Sequence, residues 1–333
     1  MLTAIKRQWI PKALSQVPMG WWHRLVGIEL LLPHWHLAND AEVPHVSGLY
    51  QFRTVRQFRE DIEFFLANYQ PVSLEDIKQH LEGVRSLPRK CFFPTFDDGF
   101  REIHESIAPI LTAKGVPAEF FLITSAIDNH TLCYPQKKSL LIRALAARPG
   151  SSAEKQAAQI LARAGIRGAG VSAQIASIHY PQRAVLEELA VVAECDFAAY
   201  VRSAQPYLSR EQVRGLMKDG FSIGAHSVNH PRYSDLPFAD QLAQTRESMQ
   251  WLSQEFGYTC DTFAFPYRDT KMTAQFFDEA SKQTGLRVCF TMDSLCHSHH
   301  PRNLVRFSME RSALPAAQIV VRQYAKALLK IDS

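Results

Sequence analysis

The chain has 333 residues, 46% of them hydrophobic, enough to bury one large core or two modest ones. Its formal charge of +4 comes without a Lys/Arg block or a basic stripe interleaved with aromatics, which argues against a nucleic-acid partner. The six cysteines (Cys91, Cys133, Cys195, Cys260, Cys289, Cys296) lack CxxC spacing and several fall in apolar segments, so they read as buried thiols of a reducing compartment, not as a disulfide frame or zinc knuckle.

At the N-terminus, MLTAIKRQWIPKALSQVPMGWW is basic and aromatic, but its apolar runs are short and broken by Pro11 and Pro18. No signal peptide or transmembrane segment follows from it; a cytoplasmic location is expected, with association at a membrane surface left open. In LVGIELLLPHW, Glu29 and Pro33 mark a core segment rather than a membrane contact. Trp21, Trp22 and Trp35 are assigned to packing rather than to stacking on a sugar.

YQPVSLEDIKQHLEG begins as a strand, then pairs Ser73 with Asp76 as a capping box for a short helix stopped by Gly83. KCFFPTF predicts a strand running into Asp97 and Asp98, although Pro94 cannot donate to a ladder. REIHESIAPILTAKG then sets Ile103, Ile107, Ile110 and Leu111 at helical spacing with Gly115 as stop, and PAEFFLIT returns as a strand. The result is a βαβ unit with paired aspartates at a strand's C-terminal end.

The alternation resumes with a helix between Ser209 and Gly220, then FSIGAH, a long helix around DQLAQTRESMQWLSQEFG, TFAFPY, AQFFDEASKQTG and RVCFTMD. Such a repeat predicts a parallel sheet or a (β/α) barrel. Between them, residues 131–204 are Ala-rich and helix-forming and read as a helical insertion. The expected organisation is an N-terminal segment, 1–85, contributing to the barrel; the barrel proper over 86–130 and 205–312; the insertion; and a C-terminal helix over 313–333.

In a (β/α) architecture the reactive groups end strands. Asp97 and Asp98 end one. FSIGAHSVNH ends another, with His226 following the strand and His230 four residues on, a spacing that brings both imidazoles to one side if the loop makes a helical turn. Alone, an Asp pair before glycine is a turn or cap, and a lone HxxxH is two solvated histidines. Together at two strand ends, two histidines and one carboxylate form a three-ligand set with an open position, the arrangement catalytic zinc uses, and the second carboxylate is free to act as a base.

TFDDG, HSVNH and FAFPYR, with their flanks FFPTFDDGFREIHESIAPILTAKGVPAEFFL and GFSIGAHSVNHPRYSDL, resemble the polysaccharide deacetylases, the NodB-homology group of carbohydrate esterases. The likeness covers roughly residues 50–130 and 205–310. It implies a distorted, incomplete (β/α) barrel. It also implies Asp97 as general base, Asp98, His226 and His230 as ligands of a divalent metal, zinc by preference, and the backbone N–H of Tyr267 as donor to an oxyanion. Pro266 and Arg268 of the same motif would contact substrate. The chemistry implied is a water, acidified by the ion and deprotonated by Asp97, attacking an acetyl carbonyl.

Three departures stand out. Where the family has an arginine that orients the base, this chain has Ala264; where it has a glycine after the tyrosine, this chain has Arg268; and the histidine expected as general acid is replaced by Arg306. A guanidinium does not give up its proton, so Arg306 is expected to steady the oxyanion or leaving group electrostatically. His297, His299 and His300 of HSHHPRN are the alternative acids. The function expected is deacetylation, mainly N-deacetylation, of an acetylated sugar or glycan. An amidase acting on a non-sugar molecule, or a glycan-binding relative without activity, remain the alternatives.

Overall fold

Pro94 divides the apolar run KCFFPTF into two strands that serve two different sheets. A computed structural model describes residues 17–293, 300–310 and 313–329. Before the proline, β4 (Cys91–Phe92) sits between β1 (Leu30–Leu31) and β3 (Gln70–Pro71) in a small parallel sheet. After it, β5 (Thr95–Phe96) joins the main barrel. The missing N–H of Pro94 ends one ladder, while its carbonyl still accepts from the Glu119 N–H at 3.3 Å.

The barrel has seven parallel strands: β2 (Pro33–Trp35), β5, β6 (Glu119–Leu122), β7 (Ser222–Ala225), β8 (Thr262–Ala264), β9 (Val288–Met292) and β10 (Asn303–Ser308). It closes where Phe307 and Ser308 of β10 pair with Pro33 and His34 of β2. The expected (β/α) barrel is therefore present, one strand short of eight. Its strands are almost wholly buried, as parallel strands covered on both faces are. Trp35, fully buried, stacks on Phe96 at 5.5 Å and donates Nε1 to Asp61. Trp22 is buried as well, whereas Trp21 is exposed.

Local signals hold closely. Ser73 and Asp76 cap the helix Leu74–Leu81 reciprocally, and Ser209 caps Arg210–Lys218. The helix expected from Ile103 begins instead as a π turn, Ile103–Ile107, and becomes α-helical over Ala108–Ala113. Pro109 supplies the reason, since it cannot donate back to Glu105 and its ring needs the wider turn.

Between β6 and β7 the chain passes through helices Tyr134–Ala146, Ser152–Arg163, Val171–Ala176, Val185–Ala193 and Phe197–Ala204. Their apolar faces, among them Leu141, Leu161, Ile175 and Leu189, form a core of their own that takes in Leu37, Val46 and Phe100 from the barrel side. The helix Ala316–Leu329 packs on Met19–Val26 and Val55–Asn68, with Tyr324 and Tyr69 hydroxyls 3.1 Å apart. Cys91, Cys133, Cys195, Cys260 and Cys289 are all free thiols. Among the described residues, no helix is long and apolar enough to cross a membrane.

Candidate active site

Asp97 and Asp98 follow β5 directly and both are buried, yet their carboxylates go to different partners. The chain turns sharply there: Asp98 has φ 71° and Gly99 φ 70°, two successive left-handed residues. A short Asx side chain tolerates that region, and a Cβ at position 99 would meet Leu122 Cδ2 at 3.0 Å, so glycine is required.

The Asp98 carboxylate faces β7. Its Oδ1 lies 3.5 Å from His226 Nε2 and 3.2 Å from His230 Nε2. His226 donates Nδ1–H to the Ala264 carbonyl at 2.8 Å, which leaves Nε2 with its lone pair toward Asp98. Burial, only partly opposed by the Asp97 charge, lowers His226 to about 4 and keeps it neutral. His230 arrives differently from expectation. The loop is not a helical turn but bends through left-handed Ser227 (φ 65°) and His230 (φ 57°), with Ser227 Oγ accepting from the His230 N–H at 2.9 Å. The imidazoles still meet, their centroids 4.9 Å apart.

This trio fits a metal ion. Asp98 Oδ1 is buried without a hydrogen bond although two imidazole nitrogens lie within 3.5 Å of it. Burial would raise Asp98, but His230, with His36 and His226, more than offsets it, to about 2, so the carboxylate is ionised. One anionic oxygen and two imidazole nitrogens clustered within 4.8 Å make a donor set suited to zinc.

Asp97 turns the other way, onto β10. Arg306, fully buried, grips it with both arms, Nη1 to Oδ1 at 2.7 Å and Nη2 to Oδ2 at 2.8 Å. Burial alone would raise the carboxyl; Arg306, then His226 and His34, hold it well below the usual carboxylate range. Arg306 therefore sits behind Asp97 and does not line the cavity, where an oxyanion or leaving-group contact was expected.

Two residues unforeseen in the sequence complete the site. His34 and His36 alternate around Trp35 at the end of β2, so the pleat turns both imidazoles away from the side where Trp35 is buried. His36 bonds Glu310 Oε2 through Nδ1 at 2.6 Å. Burial would lower His36, but the Glu310 charge and hydrogen bond raise it to about 9. His34 is buried 3.7 Å from Asp97 and, by burial, held neutral. His34, His36 and Asp97 also cluster within 4.8 Å, but there His36 is engaged by Glu310 and both Asp97 oxygens accept from Arg306. The PHWH alternation was the available signal.

Tyr267 adopts φ 67°, and its backbone N–H has no hydrogen bond among the described residues. Its ring packs on His230 at 5.0 Å and its hydroxyl meets that of Tyr134 at 2.8 Å. The loop is fixed by Asp269, which accepts from Thr291 Oγ1 and from Asn303 Nδ2 at 2.6 Å. Pro266 and Arg268 do not line the cavity; Arg268 is 3.9 Å from Asp293. His300 stacks on Phe277 at 4.4 Å, away from the site, and His297 and His299 lie outside the described residues.

These groups open on a cavity of about 390 Å³, a size typical of small-ligand sites. Its walls include Leu49 and Tyr50, and, from the segment between β6 and β7, Tyr134, Gln136, Lys138 and Ile178. A larger hollow of about 650 Å³ beside Phe197 and Val201 brings no comparable chemistry together.

Residues 85–289 match the family model described as polysaccharide deacetylase. A stretch of 98 residues, 28% of this chain, is 33% identical to the poly-beta-1,6-N-acetyl-D-glucosamine N-deacetylase of Escherichia coli K12, spanning 14% of that protein's length. Among solved structures, the Streptococcus pyogenes deacetylase PplD superposes with TM-score 0.57 over 88% of this chain and 98% of its own, at 13% identity. IcaB from Ammonifex degensii superposes with TM-score 0.54 over 89% and 97%, at 15% identity. At such identities the likeness is one of fold.

Proposed function

Because the chain belongs to the polysaccharide deacetylase family, we propose that it hydrolyses the N-acetyl groups of a sugar or glycan with the help of a divalent metal, zinc by preference. The observation that carries this reading is the division of labour between adjacent carboxylates: Asp97 clamped by Arg306, and Asp98 with its Oδ1 free of hydrogen bonds between two imidazoles.

Asp98, His226 and His230 would hold the ion. Bound there, it would supply a Lewis acid for the acetyl carbonyl and acidify a water. Asp97, kept ionised by Arg306, takes the proton of the attacking water. The unbonded N–H of Tyr267 is available to the oxyanion. His36, kept protonated by Glu310, gives its proton to the departing amine. An acid in reach of the site favours catalysis over glycan binding alone.

The test is acetate release from N-acetylglucosamine oligomers and from a simple non-sugar acetamide. Wild-type protein should release acetate from the sugar. Asp97→Asn should abolish release, and His36→Gln should lower it about 10²–10⁴-fold. Release from the acetamide alone would support the amidase alternative.

A further inference from the structure

Among charged groups lining the cavity, the carboxylates are all committed. Asp97 is held by Arg306, Glu310 by His36, and Asp98 faces His226 and His230. Two cations are not so matched. Arg232 makes no side-chain hydrogen bond or ion pair with any described residue; its guanidinium lies over the Tyr267 ring, 4.8 Å from the centroid. Lys138 is buried, and its ammonium donates to the Ala176 and Ile178 carbonyls at 2.8 and 3.1 Å, which leaves one of three donors and the whole charge uncompensated. The same ammonium is 5.5 Å from the Tyr134 ring centroid. Since the Tyr134 and Tyr267 hydroxyls bond each other at 2.8 Å, the two cations flank one tyrosine pair on one wall of the cavity.

Nearby acids do not neutralise this wall. Asp235 is bonded to His179 at 2.9 Å, and Glu187 to Lys137. The helix Tyr134–Ala146 starts at the same wall, and its N-cap Cys133 gives no side-chain hydrogen bond to the first turn, so its positive dipole end adds to the field. Uncompensated charge in a partly desolvated cavity is costly unless a ligand supplies the counter-charge.

We propose that the acetylated sugar taken by this site carries an anionic oxygen group, a phosphate or a carboxylate, bound by Arg232 and Lys138 beside the Tyr134–Tyr267 pair. The subsite rests on the deacetylase reading for the sugar and sets which sugar is preferred. Arg232 offers a fork that matches planar or tetrahedral oxyanions, and Lys138 a point charge behind it.

The experiment is calorimetric binding to the metal-loaded protein of N-acetylglucosamine, N-acetylglucosamine 1-phosphate and N-acetylglucosaminuronic acid, with acetate release followed in parallel. One charged sugar should bind about 10–100-fold tighter than the neutral one, and which does so separates phosphate from carboxylate. Arg232→Gln should erase most of that advantage, and Arg232→Lys should keep part of it. Equal binding of neutral and charged sugars overturns the subsite. So does an advantage that survives intact in Arg232→Gln, since the anion would then be held by the metal. Preferential binding without acetate release from any of the three keeps the subsite and sinks the deacetylase reading; release without preference does the reverse.

Discussion

Arg306 and Asp97 lie 209 positions apart in the chain and meet as a buried, two-armed ion pair, 2.7 and 2.8 Å, at the seam where β10 closes on β2. The guanidinium is fully buried and its Cζ lies 5.2 Å from the Phe121 ring centroid, so it has a fixed seat independent of substrate. A pair of this kind orients its carboxylate and keeps it ionised at the cost of two desolvated charges.

Arg306→Gln should therefore leave Asp97 buried without its counter-charge, costing about 3–5 kcal/mol of stability. Without the guanidinium, burial raises the Asp97 carboxyl, so the acid limb of the kcat/KM profile should move to higher pH. Turnover should fall by about 10²-fold or more while bound metal is retained. Thermal melting, a pH–rate profile and elemental analysis check the three parts. Loss of metal with an unmoved acid limb would show that Arg306 supports the metal-holding residues and not Asp97.

His36 gives a second pH signature. It is raised from 6.5 to about 9, so the stability from its pair with Glu310 is fully present below about 6.5 and lost as pH rises through about 9. If it is the proton donor we propose, it should also set the alkaline limb of kcat/KM near 9. Glu310→Gln removes the two largest raising causes and leaves burial opposed only by the Asp98 and Asp97 charges; the alkaline limb should then move to lower pH. A profile unchanged in Glu310→Gln would remove His36 from the reaction.

Gly224 is the tightest point under the site. A Cβ there would fall 2.5 Å from Phe121 Cε1 and 2.7 Å from Thr262 Oγ1, inside the barrel. Gly224→Ala should cost about 1–3 kcal/mol through overpacking and lower the melting temperature by several degrees. Because His226 follows directly on the end of the same strand, two residues on, metal affinity should weaken with it. An unchanged melting curve would show that Phe121 can move aside.

The legible part of the site was the part written locally. Asp97 beside Asp98, and His226 four positions before His230, carry their pattern in a few residues, and the strands before them show alternation and apolar runs. The capping pairs at Ser73 and Ser209 placed two helices for the same reason. What could not be read depends on closure of the barrel. Arg306 reaches Asp97, and Glu310 reaches His36 across 274 positions, only once β10 lies on β2. The left-handed turns at Ser227 and His230 stand where a helical turn was expected; that backbone is bonded to Thr124, Ser125 and Gln244, all distant in sequence.

Everything proposed for the site turns on whether the protein needs an ion held by Asp98, His226 and His230. The deciding measurement is acetate release from N-acetylglucosamine oligomers by protein stripped with chelator, before and after adding stoichiometric zinc. The account predicts negligible release from the stripped protein, recovery on adding zinc, and no recovery in His226→Ala or His230→Ala. Full turnover by the stripped protein, or zinc-dependent recovery in both histidine variants, would contradict it.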